Sequence, residues 1–95
     1  MENFEKIKLV QSDLQILKAR LECLEKADKL DWLDSLLKPI VESEIENNER
    51  FLRHLKGDET VDMKEVVLIQ HANFAQLSWL TKLYHKEGRY PFPKK

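Results

Sequence analysis

Glycine is almost missing from this chain, with two in 95 residues. Phosphate-cradling loops of the Walker or dinucleotide type need several glycines, so nucleotide binding of that kind is excluded. Cysteine occurs once, as Cys23. It cannot form an internal disulfide, and a reducing, cytoplasmic setting is the natural expectation. Three prolines are too few for a linker or a collagen-like chain. Charge of one sign is lacking too: 16 basic against 17 acidic side chains leave a net −1. No overall field therefore draws the protein to nucleic acid or anionic lipid. Nor is there a long apolar run. The longest charge-free stretch, Val66 to Thr81, is shorter than a membrane span and contains Gln70, His71, Asn73, Gln76 and Ser78. It reads as a buried helix, and no membrane partner is expected. Glu2 and Glu5 stand where a signal peptide would carry positive charge.

What is present is 42% hydrophobic and 35% charged residues. That suits one small folded domain with a single modest core. The apolar residues recur with helical period. Between Asn3 and Asp28, Ile7, Val10, Leu14, Leu17, Leu21 and Leu24 alternate spacings of three and four, the seam of a helical bundle. Leu9, Ile16 and Cys23 recur every seven residues and form a second stripe about 100° round the same helix. One neighbouring helix cannot cover both.

The second block opens with a short helical turn around Trp32. Pro39 disfavours helix at Lys38 and fits the start of a new segment that ends near Lys56, with Gly57 as its stop. A single kinked helix from Asp31 to Lys56 is the alternative. Leu37, Val41, Ile45, Asn48, Leu52 and Leu55 carry the three-four spacing here. The third block begins at Asp62, where Glu65 is placed to complete a capping box, and ends near Lys86 before Gly88. Ile69, Ala72, Gln76, Trp79 and Leu83 make its principal seam, widened by Leu68, Ala75 and Leu80. Val66, Leu77 and Tyr84 adjoin it, and Val67 and Phe74 lie nearly opposite. A helix apolar on nearly every side is central in its bundle or part of an oligomer interface.

The expected fold is therefore all-α: a small antiparallel bundle of three long helices plus a short turn, self-associating through leftover apolar faces. The helical domain covers residues 1–88, and an extended basic tail covers 89–95. Candidate interface residues are Leu9, Ile16, Cys23, Val67, Phe74, Leu77 and Tyr84.

Chemistry-bearing patterns are sparse. Glu42, Glu46 and Glu49 share a helical face, but no Glu-x-x-His pair exists to make a di-metal site, and Arg50 and Arg53 are spaced to neutralise that face. His54 and His85 fall in final helical turns, where a histidine suits the macrodipole. His71 lies on a polar arc. A Cys23–His71 nucleophilic pair is conceivable, yet Cys23 is more simply a small apolar member of its stripe. No serine lies in a nucleophile-elbow motif. No catalytic, metal or cofactor site is expected. Asn48 and Gln76 interrupt seams where apolar residues belong, either fixing register or lying at a seam's edge. The C-terminal stretch interleaves Lys82, Lys86, Arg89, Lys94 and Lys95 with Tyr84, Tyr90 and Phe92. Basic and aromatic groups together can grip a single strand, which makes Lys82, Lys86, Arg89, Tyr90, Lys94 and Lys95 candidates for a nucleic-acid accessory role. Packing of the tail back over the bundle, or disorder, is the simpler expectation, and presentation of a short extended peptide to a partner is a further alternative. The function that best fits is a non-enzymatic helical interaction module, an adaptor, assembly or regulatory subunit of the kind found among bacterial and phage accessory proteins. Its partner would be a second copy or another helical protein.

Overall fold

Capping side chains and two glycines set the element boundaries. In the computed structural model, which describes residues 3–92, the chain forms α1 (Asn3–Lys26), α2 (Trp32–Leu55) and α3 (Met63–Lys86). There is no strand among the described residues. Asp31 caps α2 by accepting from the Asp34 N–H at 2.8 Å. Asp62 caps α3 by accepting from the N–H groups of Lys64 and Glu65. Gly57 (φ 105°) and Gly88 (φ 70°) follow the ends of α2 and α3 in the left-handed region, where a side chain would be strained. The capping box at Asp62 is only half made, because the Glu65 carboxylate turns away to Arg50 at 2.9 Å.

The expected break at Pro39 does not occur: the turn around Trp32 is the beginning of one continuous α2. Proline removes the N–H that would bond the Ser35 carbonyl. Ser35 and Pro39 are both exposed, so water can serve that carbonyl. The turn before it is anchored by the Asp31 cap and by Ser35 Oγ donating to the Asp31 carbonyl at 2.9 Å. Pro39→Ala restores the missing bond at an exposed site. It should stabilise the protein by about 1–3 kcal/mol, raising the melting temperature by roughly 5–15 °C. An unchanged or lower melting temperature would show that the proline is needed for packing.

The helices run lengthwise. Twenty-four residues make about 36 Å of helix, matching the 41 Å long axis of the molecule. Cross-helix pairs fix α2 and α3 as antiparallel: Asp34 meets Tyr84, Glu44 meets Asn73, and Arg50 meets Glu65. Helix α2 is the shared element. It packs on α1 and on α3, whereas no Cα of α1 comes within 8 Å of one in α3. Two seams on α2 serve the two neighbours. Leu37, Val41, Ile45, Asn48, Leu52 and Leu55 were legible from spacing. A second line, Leu33, Leu37, Ile40, Glu44, Asn47 and Phe51, is the one whose Glu44 and Asn47 bond to α3. The core joins these to Val10, Leu14, Leu17 and Leu24 of α1 and to Leu80 and Tyr84 of α3.

The phase of α3 corrects the sequence expectation. Its buried residues are Val66, Asn73, Leu80 and Tyr84, whereas Ala72, Gln76 and Trp79 of the expected seam are exposed and Ile69 and Leu83 only half-buried. The two stripes are about equally apolar, so hydrophobicity does not choose between them. Buried polar pairing does: Asn73 Nδ2 donates to Glu44 Oε1 at 2.7 Å and to Ser43 Oγ at 3.1 Å. Asn47 Nδ2 donates to the Val66 carbonyl at 2.9 Å. Burying amides and carboxylates costs least when they are bonded, and this register bonds Asn73, Glu44 and the Asn47 Nδ2, leaving Asn47 Oδ1 as the buried side-chain atom without a partner among the described residues.

Candidate interaction groove

Because α1 and α3 each lie closer to α2 than to each other, a groove of about 260 Å³ remains between them. Asp13, Ile16 and Leu17 form one wall, Gln70, Phe74 and Leu77 the other, and Glu44 and Asn48 the floor. Phe92 of the tail closes part of it. Three of the candidate interface residues, Ile16, Phe74 and Leu77, thus come together from helices that are not neighbours. Leu9 and Val67 do not line the groove. Each lies seven residues before a wall residue, on the same helical line, and both are exposed. Cys23 continues the Ile16 line and is exposed as well, not part of a buried stripe. It makes no hydrogen bond with His71, which is itself exposed on α3. Tyr84 differs from the rest of the set: at 0% exposure it is inside the core and offers nothing to a second chain.

The groove floor carries an acid. Glu44 is 6% exposed, accepts from Asn73 and from Asn48 Nδ2 (3.4 Å to Oε2), and forms no ion pair among the described residues. Asn48 also donates to the Glu44 carbonyl at 2.8 Å, so this expected seam asparagine is satisfied within its own helix. Gln76 is exposed, at the edge. Spacing did not single out Glu44, Asn47 or Asn73. The second seam on α2 was the available signal.

At the far end the tail is fastened down. Asp34, on the first turn of α2, accepts from the Tyr84 hydroxyl and pairs with Arg20 (3.3 Å) and Arg89 (3.3 Å). Arg89 also reaches Asp31 at 2.7 Å and lies over the Tyr84 ring, 5.1 Å from its centroid. Arg20 Nε donates to the Pro91 carbonyl at 2.6 Å, Pro91 is buried, and Tyr90 stacks edge-on against His85. Burial and the Asp34 hydrogen bond push the Tyr84 hydroxyl well above its ordinary value. The Asp34 backbone N–H, helped by Arg89, holds the Asp31 carboxyl below its usual range against the opposing effect of burial. Arg89 is therefore committed to three carboxylates, since Glu87 lies 3.4 Å away as well. Of the nucleic-acid candidates, Lys82, Lys86 and Tyr90 are exposed. Lys94 and Lys95 lie outside the described residues.

The acidic face of α2 is occupied by ion pairs. Arg50 joins Glu46 and Glu65, Glu49 joins Lys18 at 3.6 Å, and Arg53 turns to Asp58 at 3.7 Å instead of to Glu49. Among the described residues no three His, Cys, Asp or Glu side chains gather in a way that would hold a metal ion. No described helix is long and apolar enough to cross a membrane. The groove is below the usual volume range of small-molecule pockets and has few convergent polar groups. No protein-family model matches this sequence, and neither the curated proteins nor the solved structures offer a significant match that would lend it a function.

Proposed function

We propose that the protein is a non-enzymatic interaction module, an adaptor, assembly or regulatory subunit whose α1–α3 groove receives the apolar face of a partner helix. The observation that carries this reading is the meeting of Ile16 and Phe74, from two helices with no Cα pair within 8 Å, across one open groove. A fourth helix laid there would complete a four-helix arrangement around α2. Helix-in-groove recognition uses apolar anchors at successive turns, and Ile16, Phe74, Leu77 and Phe92 are the side chains that would receive them. The acid floor adds a chemical preference. A basic or amide side chain on the partner would meet Glu44, which has no counter-ion of its own among the described residues. In this reading the protein works in the cytoplasm, with Cys23 as a free thiol.

Affinity capture with wild type, Ile16→Glu and Phe74→Glu as baits tests the reading, after circular dichroism has shown all three folded. An anchor of this size contributes about 1.5–3 kcal/mol, so a charge in its place should weaken partner retention roughly tenfold to a hundredfold. The expected result is at least one protein held by wild type and lost from both variants. Identical retention on all three baits would remove the groove as the binding surface.

A further inference from the structure

A second unpartnered stripe runs along the outside of α3, away from the groove. Leu68 is 69% exposed and Trp79 54%, and Ala72 and Ala75 between them are exposed as well. The polar arc of Lys64, His71 and Ser78 separates this stripe from Val67 and Phe74. Glu65, Leu68, Ala72, Ala75, Trp79 and Lys82 follow one another at spacings of three and four, a coiled-coil seam facing solvent.

We propose that this seam pairs with the same seam of a second copy of the chain, antiparallel across a two-fold axis. The order of residues carries the inference. Ala72 and Ala75, Leu68 and Trp79, and Glu65 and Lys82 are each equidistant from the midpoint between Asn73 and Phe74. An axis at that midpoint brings Ala72 opposite the partner's Ala75, so the two helices approach closely at the centre. Leu68 then packs under the partner's Trp79 on both sides, and Glu65 meets the partner's Lys82 at both ends. The interface is self-complementary in shape and in charge, as a two-fold contact must be. Parallel pairing would instead face Lys82 with Lys82 and Glu65 with Glu65. Glu65 remains available although Arg50 holds its Oε1, because Oε2 has no partner among the described residues. The seam from Glu65 to Lys82 is about 26 Å long, short for a permanent interface, so the dimer is concentration-dependent. This surface is separate from the groove, and either assignment can fail without the other.

Sedimentation equilibrium of the full chain provides the test. Wild type should dimerise at tens of micromolar, and Trp79→Glu should be monomeric. Glu65→Lys and Lys82→Glu each place like charges at both ends, and each alone should dimerise at least about tenfold more weakly. Mixed in equal amounts, the two single variants should recover a heterodimer. One chain then carries lysine at both seam ends and the other carries glutamate at both, so opposite charges meet at each end. Misfolding of either variant cannot produce that recovery. A wild type monomeric throughout the submillimolar range overturns the proposal. So does a mixture that stays monomeric, or self-association that Phe74→Glu abolishes and Trp79→Glu leaves intact.

Discussion

Asp34→Ala is expected to lower the melting temperature by about 10–20 °C. The Asp34 carboxylate takes a hydrogen bond from Tyr84 and the charges of Arg20 and Arg89. These contacts join α1, α2, α3 and the tail at one point. Removing the acceptor leaves the Tyr84 hydroxyl of a fully buried side chain without that bond and two guanidinium groups without their shared anion. Asp34 and Arg20 are about four-fifths shielded from water, so screening is partial. Hydrogen bonds to charged groups contribute about 1.5–3 kcal/mol each, and a loss of about 2–3 kcal/mol overall gives the stated shift for a chain of this size. The tail should loosen with it, and trypsin should cleave after Arg89 faster than in wild type. Asn at the same position keeps an acceptor for Tyr84 and should fall between. A melting temperature within two or three degrees of wild type, measured for the alanine variant, would mean that the cluster does not hold this end together.

Above about pH 10 the protein should lose stability steeply, at up to about 1.4 kcal/mol per pH unit. The sign follows from Tyr84, whose hydroxyl is raised above its ordinary value of 10.0, first by burial and then by its bond to Asp34. Below that value the phenol is protonated in both the folded and unfolded chains, and its full contribution is present. Above it the unfolded chain releases the proton while the folded chain cannot, so each further unit of pH favours unfolding. Denaturant melts of wild type and Tyr84→Phe between pH 8 and about 12 measure this as the difference in slope. The phenylalanine variant should begin less stable, lacking the bond to Asp34, and then decline less with pH. Parallel curves would mean that Tyr84 ionises freely in the folded state. At the acid end the signs reverse. The lowered Asp31 carboxyl contributes stability that is present above its ordinary value and is lost as pH falls through its folded value.

Helix existence and helix ends were legible because their causes are local. Asp31, Asp62, Gly57 and Gly88 act on backbone groups within a few residues of themselves, and α1 has one dominant seam. The rotation of α3 was not legible. Trp79 and Leu68 make its outer stripe as apolar as the inner one. The choice between them depends on Asn73 finding Glu44 twenty-nine residues away, a pairing that has no local signature. Pro39 misled for a related reason. Its cost depends on whether Ser35 faces water, which is a tertiary fact. In the groove, Ile16 and Phe74 were recognisable as surplus apolar residues. That they face one another across α2 required the order of packing. Tyr84 was drawn into the same set by its phase on α3, and only the position of Asp34 shows why it is buried.

Since α1 and α3 each approach α2 more closely than they approach each other, the molecule can be read as two helical hairpins with one member in common. Each hairpin joins elements adjacent in sequence, and such local topologies fold fast. Either outer helix can detach while the other hairpin stays formed, so amide protons should exchange most slowly in α2 and more readily in its neighbours. Among the described residues the hydrogen bond from Arg20 to Pro91 spans the greatest separation, 71 residues. Chain closure of that reach carries the largest entropic cost. The clasp between the first helix and the tail is thus the last piece to form and the first to open, and its opening withdraws Phe92 from the groove.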